Sequence, residues 1–269
     1  MNIPKPLLAM LIVVVGLVAP RHAQADIFRP SVQDQIKIGK QVHDQIVKEA
    51  KVLPDSDPRT QLIRQLGEAM VAKIPESERK SRPFEYRFYV LQSRELNAFA
   101  VPGGGIYIYS GLIARMRTVD QLAGVVGHEI IHVRNQHWAS AYADSIKRRL
   151  GLTIVLTLLG AGDWVFDVAD AVDTFFVGLP YSRRHEAEAD RLGFDLMAGI
   201  NMNPQGLVDT FALFAENEDT SAGDFLRTHP LSRDRVKAMQ DRIAKSNRSF
   251  PPQRPLPLNM RVPNLRWVR

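Results

Sequence analysis

Two histidines and a glutamate stand in one short apolar segment, VVGHEIIHVRN, which runs from Val125 to Asn135. His128 and His132 are four residues apart, so on an α-helix they project from nearly the same face, one turn apart. Two imidazoles placed in this way can bind a single zinc ion. Glu129 is rotated by about 100° from His128 and flanks the ion rather than binding it. The pattern therefore predicts metal-assisted hydrolysis, in which Glu129 takes a proton from water.

The alternative is that both histidines are hydrogen-bonded core residues that bind no metal. About one chain in a hundred with this histidine content would contain the His-Glu-x-x-His pattern by chance. It also lies inside a segment with helical spacing, which is the context that the chemistry requires. We therefore favour zinc binding.

A catalytic zinc site needs a third protein ligand. The metzincin pattern would place glycine and histidine at positions where this chain has Asn135 and Trp138, so that class is excluded. His137 follows His132 by five residues, and on a continuous helix it is rotated roughly 140° away from the metal face. We interpret His137 as a helix-end or packing histidine.

The segment YSRRHEAEADRLG offers a better candidate for the third ligand. Glu186 and Asp190 are four residues apart and share one helix face, whereas Glu188 and His185 point elsewhere. We expect Glu186 to bind the metal and Asp190 to accept a hydrogen bond from a ligand imidazole. The alternative is an exposed acidic helix whose carboxylates balance the neighbouring arginines, Arg183, Arg184 and Arg191.

The elements that must position these residues are mostly helical. Apolar spacing predicts helices over residues 31–50, 60–74, 119–135, 164–177, 184–198 and 204–217. Aromatic and β-branched residues predict strands over residues 84–92, 97–101 and 106–109. Gly103–Gly105 are interpreted as a hairpin connection, because the lysine of a phosphate-binding loop is missing. The fold class predicted is α+β, mainly α-helical, with one small β-sheet beside the active-site helix.

The two ends of the chain differ from its centre. The first 25 residues contain Lys5, then an apolar run, and then small residues before a cleavage point. This pattern predicts a signal peptide over residues 1–25. It therefore predicts export, with the periplasm as the compartment. An uncleaved anchor is the alternative. The catalytic domain is expected over residues 26–247 and a proline-rich tail over residues 248–269, either docked as extended backbone or solvated.

Composition limits the partners. The net charge is +6, but the basic residues are spread along the chain without a base-reading motif, so we expect no nucleic-acid partner. There is no cysteine, and therefore neither a disulfide nor a lipid-attachment cysteine. The apolar segment 150–160 is too short to span a bilayer comfortably and predicts buried core, with peripheral membrane contact left open.

Three motifs in order, NAFAVPGGGIYIYSGLI, HEIIH and SRRHEAEAD, resemble the HtpX- and BepA-like zinc metallopeptidases, a family that also contains the CAAX prenyl endopeptidases. The resemblance runs from about Leu96 to Met239 and is to the soluble periplasmic branch. It implies a zincin-type metallopeptidase domain that binds one Zn²⁺ per chain. The implied ligands are His128, His132 and Glu186, with Glu129 as the catalytic carboxylate and Asp190 as the acid behind the ligands.

The resemblance also implies roles for two further segments. One is a strand edge that would bind an extended peptide substrate, formed by Asn97, Ala98, Phe99, Ala100 and Val101. In the other, THPLSRDR, His229 would either fill the fourth zinc position at rest or stabilise an oxyanion, with Arg235 supporting it. Without the resemblance, this segment is a loop before a helix that Ser232 caps.

The function expected is that of an exported zinc endopeptidase of periplasmic protein quality control. Its expected partners are misfolded or stalled polypeptides, with outer-membrane precursors among them. The alternative is a zinc-stabilised chaperone or binding module that holds unfolded chains and hydrolyses little. Longer relatives carry a carboxy-terminal helical-repeat domain, which the proline-rich tail does not resemble, so docking on an outer-membrane assembly machine by that route is not expected.

Overall fold

The computed structural model describes Asp26 and residues 28–155, 168–217 and 222–257. The predicted signal peptide, the end of the apolar segment at 156–160 and residues 258–269 of the predicted tail lie outside the described residues. Within the described ranges the chain forms eleven helices and three short strands, which confirms the predicted mainly helical α+β fold.

The helices are α1 (Val32–Glu49), α2 (Pro58–Val71), α3 (Glu76–Ser81), α4 (Ser110–Arg115), α5 (Val119–Arg134), α6 (His137–Val155), α7 (Val168–Val177), α8 (Arg183–Gly199), α9 (Gln205–Ala215), α10 (Gly223–Thr228) and α11 (Arg233–Lys245). The strands are β1 (Arg87–Leu91), β2 (Ala98–Ala100) and β3 (Gly105–Tyr109). None of the helices in the described part of the chain is long and apolar enough to cross a bilayer.

The three strands form one mixed sheet in the order β1-β3-β2. Strand β1 runs parallel to β3, whereas β2 and β3 form an antiparallel hairpin in which Phe99 lies opposite Tyr107. The hairpin connection requires glycine at Gly104, where φ is +128° and an added Cβ would lie 2.3 Å from the backbone oxygen of Glu85. The predicted hairpin is therefore present, and it leaves β2 at an edge of the sheet.

The two faces of the sheet pack against different layers. Phe88, Val90 and their neighbours on β3 face the core that α2 and α5 complete, while Tyr107 packs with the apolar face of α1 on the other side. Burial of each large apolar side chain contributes roughly 1.5–3 kcal/mol. Because both faces of the sheet are packed in this way, the sheet is held in place and its β2 edge lies beside α5.

Helix α5 is buried on nearly all sides. It begins with a capping box in which the Thr118 side chain accepts from the N–H of Gln121. Helix α8 crosses it closely at Gly193, where an added Cβ would lie 3.2 Å from the backbone nitrogen of His128. This close crossing brings the acidic face of α8 against the histidine face of α5.

The described part of the proline-rich tail is docked. The N–H of Val119 donates to the carbonyl of Arg254 at 2.8 Å, and the N–H of Leu256 donates to the carbonyl of Arg117 at 2.9 Å. Leu256 is buried. Of the two interpretations of the tail, docking against the start of α5 is correct for these residues.

Candidate metal centre

Four buried side chains from three parts of the fold converge at one point. His128 and His132 of α5, Glu186 of α8 and His229 at the end of α10 each offer a ligand atom, and these atoms all lie within 4.8 Å of one another. The two α5 histidines point the same way because one helical turn separates them. The structure thus brings together the three predicted zinc ligands and the predicted His229.

The spacing of the four donors fits zinc. Nε2 of His128 lies 2.9 Å from Nε2 of His132 and 3.3 Å from Nδ1 of His229. Glu186 oxygens lie 3.2 to 3.5 Å from the three imidazole nitrogens. Tetrahedral zinc with bonds of about 2.0–2.1 Å separates its ligand atoms by roughly 3.3 Å. The converging lone pairs therefore match the chemistry and size of a zinc site.

Glu129 borders this cluster and is unusual in its surroundings. It is fully buried, and neither carboxylate oxygen has a hydrogen-bond partner within the described ranges. Burial raises its pKa above the usual value for glutamate, although the nearby His229 and His128 oppose the shift. A buried carboxylate without a hydrogen-bond partner is costly to the fold and is typical of a reactive group.

Asp190 and Arg235 stand behind His128. Oδ1 of Asp190 lies 3.0 Å from Nδ1 of His128, and Arg235 donates to both oxygens of Asp190 at 2.7 and 2.8 Å. Burial disfavours the charged form of His128, but its bonds to Asp190 and Glu186 prevail and raise its pKa to about 10. Asp190 thus accepts from a cluster imidazole, in the arrangement that its spacing from Glu186 predicts.

Arg235 has no direct contact with the His229 ring within the described residues and binds groups next to it instead. Its Nη1 lies 2.6 Å from an oxygen of Glu186 and donates to the carbonyl of Pro230 at 3.0 Å. No contact to the His229 ring is recorded among the described side chains. Arg235 therefore neutralises two buried carboxylates and reaches His229 through Glu186 and the backbone of Pro230, since α11 packs on α8.

His137 is a buried helix-end histidine outside the donor cluster, as interpreted, but the expected rotation away from His132 does not hold. The rotation rule assumes a continuous helix, but α5 ends at Arg134, Gln136 adopts a left-handed φ of +56°, and α6 begins at His137. The chain reverses, so Nδ1 of His137 lies 3.1 Å from Nδ1 of His132. Burial, together with the adjacent His185, lowers the pKa of His137 to about 4.

Two further side chains of α8 contact His137. Glu188 lies outside the donor cluster, as expected, but its Oε2 is 3.3 Å from Nε2 of His137. His185 is half-buried, and its ring stacks on His137 with centroids 4.6 Å apart. Tyr181, which no sequence motif indicates, stacks on His132 with ring centroids 4.0 Å apart.

The predicted substrate edge, Asn97 to Val101, lies on β2 and its flanks. The carbonyl of Asn97 and the N–H of Val101 bond to β3, so by strand alternation the backbone groups of Ala98 and Ala100 face the free edge. The N–H of Ala98 is capped by the side chain of Asn97 at 2.8 Å. A cavity of about 340 Å³ opens beside this edge, and its lining includes Phe99, Trp138, Phe175, Leu179 and His229.

Comparison with known proteins agrees with this geometry. The model of Peptidase family M48 matches residues 58–243. Metalloprotease YcaL of Escherichia coli (strain K12) is 30% identical over 185 residues, covering 65% of this chain and 68% of that protein. Metalloprotease LoiP of the same organism is 30% identical over 168 residues, covering 61% and 64%. The beta-barrel assembly-enhancing protease of Escherichia coli (strain K12) is 28% identical over 93% of this chain and 56% of that protein.

The fold and the matched proteins define a zinc-dependent peptidase built around a HExxH helix. The chain belongs to Peptidase family M48 and is a zinc metalloendopeptidase that acts on polypeptides. It spans 56% to 68% of the three bacterial relatives.

Proposed function

We propose that this chain is an exported endopeptidase of periplasmic protein quality control, which cleaves misfolded or stalled polypeptides, outer-membrane precursors among them. His128, His132 and Glu186 hold the zinc, and Glu129 is the catalytic carboxylate. One observation carries the assignment of roles: four buried donors converge beside a buried carboxylate that has no described hydrogen-bond partner. The predicted signal peptide over residues 1–25 supports the compartment, and similarity to a beta-barrel assembly-enhancing protease supports the substrate class.

The chemistry divides between the ion and the chain. When bound, zinc supplies a Lewis acid that polarises the scissile carbonyl and makes water at the site more acidic. Glu129 accepts a proton from the attacking water and returns it to the nitrogen of the leaving amine. His229, whose Nε2 lies 3.8 Å from Glu129, either occupies the cluster at rest or donates a hydrogen bond to the carbonyl oxygen as negative charge develops.

The substrate would bind as an added strand. An extended peptide placed along β2 pairs with the backbone of Ala98 and Ala100 once the Asn97 side chain releases the Ala98 N–H. Alternate side chains of that peptide then point to the face that carries Phe99, where the cavity is lined by aromatic and aliphatic residues. Extended, unfolded segments with large apolar residues fit this groove, whereas a folded chain does not present them.

The test of activity uses purified protein on casein and on a denatured outer-membrane porin. We expect cleavage by the wild type and a loss on the order of 10²–10⁴-fold in Glu129→Gln, because the variant lacks the base. Zinc content should stay unchanged in this variant. Glu68→Gln, an exposed glutamate on α2, is the matched control and should cleave normally.

The rival function is a zinc-stabilised chaperone, and the complete burial of His229 and Glu129 is the observation that favours it. If wild type and Glu129→Gln are equally inert while both suppress aggregation of the porin, the chaperone is correct. The compartment is tested separately by fractionation of cells that express the full chain. Recovery of the protein unprocessed and in the cytoplasm would overturn export.

A further inference from the structure

His137 lies directly behind His132 and has both ring nitrogens engaged. Its Nδ1 lies 3.1 Å from Nδ1 of His132, and its Nε2 lies 3.3 Å from Oε2 of Glu188. The side chain of His137 is only 2% exposed, so water does not compete for its contact with His132, whereas Glu188 at the other end is 36% exposed. A ring that merely fills space would not need a polar partner at each end.

The direction of these hydrogen bonds follows from the cluster. Nε2 of His132 is the atom that faces the other donors, 2.9 Å from Nε2 of His128. A neutral imidazole that binds a metal through Nε2 carries its proton on Nδ1. His132 therefore donates from Nδ1 to Nδ1 of His137, which must be unprotonated. The His137 proton is then on Nε2 and is donated to Glu188.

We propose that His137 and Glu188 are positioning residues that form a relay with His132, setting its tautomer and ring orientation for zinc. The relay rests on the proposed role of His132 as a zinc ligand. Groups that orient a ligand imidazole from behind typically change metal affinity by 10–100-fold when they are removed. Here the carboxylate acts through an intervening neutral histidine rather than directly.

The backbone that delivers His137 is held in an uncommon conformation. Gln136 has φ +56°, in the left-handed region that L side chains rarely adopt. Its Oε1 accepts from Nε2 of Gln35 at 2.9 Å, and Gln35 is itself buried and bonded to the carbonyl of Pro30 at 3.1 Å. Such conformations persist where their surroundings enforce them and cluster at functional sites. The turn from α5 to α6 is thus fixed by α1, which places His137 independently of any metal.

The relay is tested by the zinc affinity of the full-length protein in competition with a chromophoric chelator. We expect His137→Leu to weaken zinc binding by 10–100-fold. His137→Asn keeps an acceptor near the position of Nδ1 and should recover most of the affinity. His43→Gln is the matched control, because it removes a histidine that is bonded to Tyr107 and does not belong to the donor cluster, and it should leave the affinity unchanged.

Equal zinc affinity of the wild type and His137→Leu would overturn the relay while leaving the proposed function intact. A wild type that binds no zinc would instead overturn the proposed function. A second measurement needs no variant: ¹⁵N spectra of histidine-labelled, zinc-loaded protein. We expect a protonated Nε2 and a bare, hydrogen-bonded Nδ1 on His137. A proton on Nδ1 of His137 would overturn the relay.

Discussion

The two histidines proposed to hold zinc stand one turn apart on α5, yet different groups support them from behind. The Nδ1 of His128 meets a fully buried charge pair, Asp190 and Arg235. The Nδ1 of His132 meets neutral His137, and the charge that follows, on Glu188, is 36% exposed. Behind His128 the supporting groups are buried charges. Behind His132 a neutral imidazole orients the ring, and little charge is buried.

This difference has an energetic meaning. Arg235 joins α11 to α8 through two buried carboxylates, those of Glu186 and Asp190. Removal of one partner from a buried pair leaves an uncompensated charge, whereas removal of a neutral partner leaves only an unsatisfied hydrogen bond. The His128 side should therefore influence the stability of the fold more than the His132 side does.

The largest expected effect is that of Asp190→Asn. The substitution leaves Arg235 with one buried carboxylate instead of two, and we expect the free energy of unfolding to fall by about 3–5 kcal/mol. Urea denaturation of zinc-free protein measures this. Asp241→Asn, in an exposed pair with Lys237, is the control and should not change stability measurably. A loss no greater than that of the control would remove the distinction between the two sides.

A smaller loss is expected for His137→Leu in the same zinc-free assay. The variant leaves Nδ1 of His132 without its recorded partner, which costs about 1–2 kcal/mol, while no charge is stranded. If His137→Leu destabilised the zinc-free fold as much as Asp190→Asn, the neutral side would be as important to folding as the charged side.

Glu188→Ala should affect zinc binding less than His137→Leu does. Water can replace the partly exposed carboxylate as the acceptor for Nε2 of His137, so we expect a loss of less than tenfold, or below about 1.4 kcal/mol. Chelator competition measures it. A loss as large as that of His137→Leu would show that the charge of Glu188, rather than the position of His137, controls the ligand.

The smallest effect concerns an ion pair at the C-terminal end of α5. Arg134 donates to both oxygens of Glu78 at 2.8 Å and lowers the pKa of that carboxyl. Because the folded pKa lies below the unfolded value, the pair stabilises the fold above about pH 4.3 and is lost as the pH falls further. Glu78→Gln should cost about 0.5–1 kcal/mol at pH 7 and nothing at pH 2. An equal cost at both pH values would contradict an electrostatic origin.

Much of the centre could be predicted because it depends on local geometry. The spacing of His128 and His132, and that of Glu186 and Asp190, fixes which side chains share a helix face, and the structure brings these faces together. The hairpin of β2 and β3 was likewise predictable from strand-forming residues around three glycines.

The remainder depends on where helices end and on which distant elements meet. The contact of His137 with His132 was missed because the end of α5 and the left-handed Gln136 carry no clear sequence signal. The resemblance indicated Arg235, but its bonds to Glu186 and Asp190 depend on the packing of α11 against α8. Tyr181 was missed because a stacking partner has no spacing rule.

The most direct test of the account is the position of the metal, measured by anomalous diffraction at the zinc absorption edge from crystals of the zinc-loaded chain. We expect one peak per chain within about 2.0–2.2 Å of Nε2 of His128, Nε2 of His132 and an oxygen of Glu186. A peak bound elsewhere, or one that lacks any of these three contacts, would contradict the proposed centre.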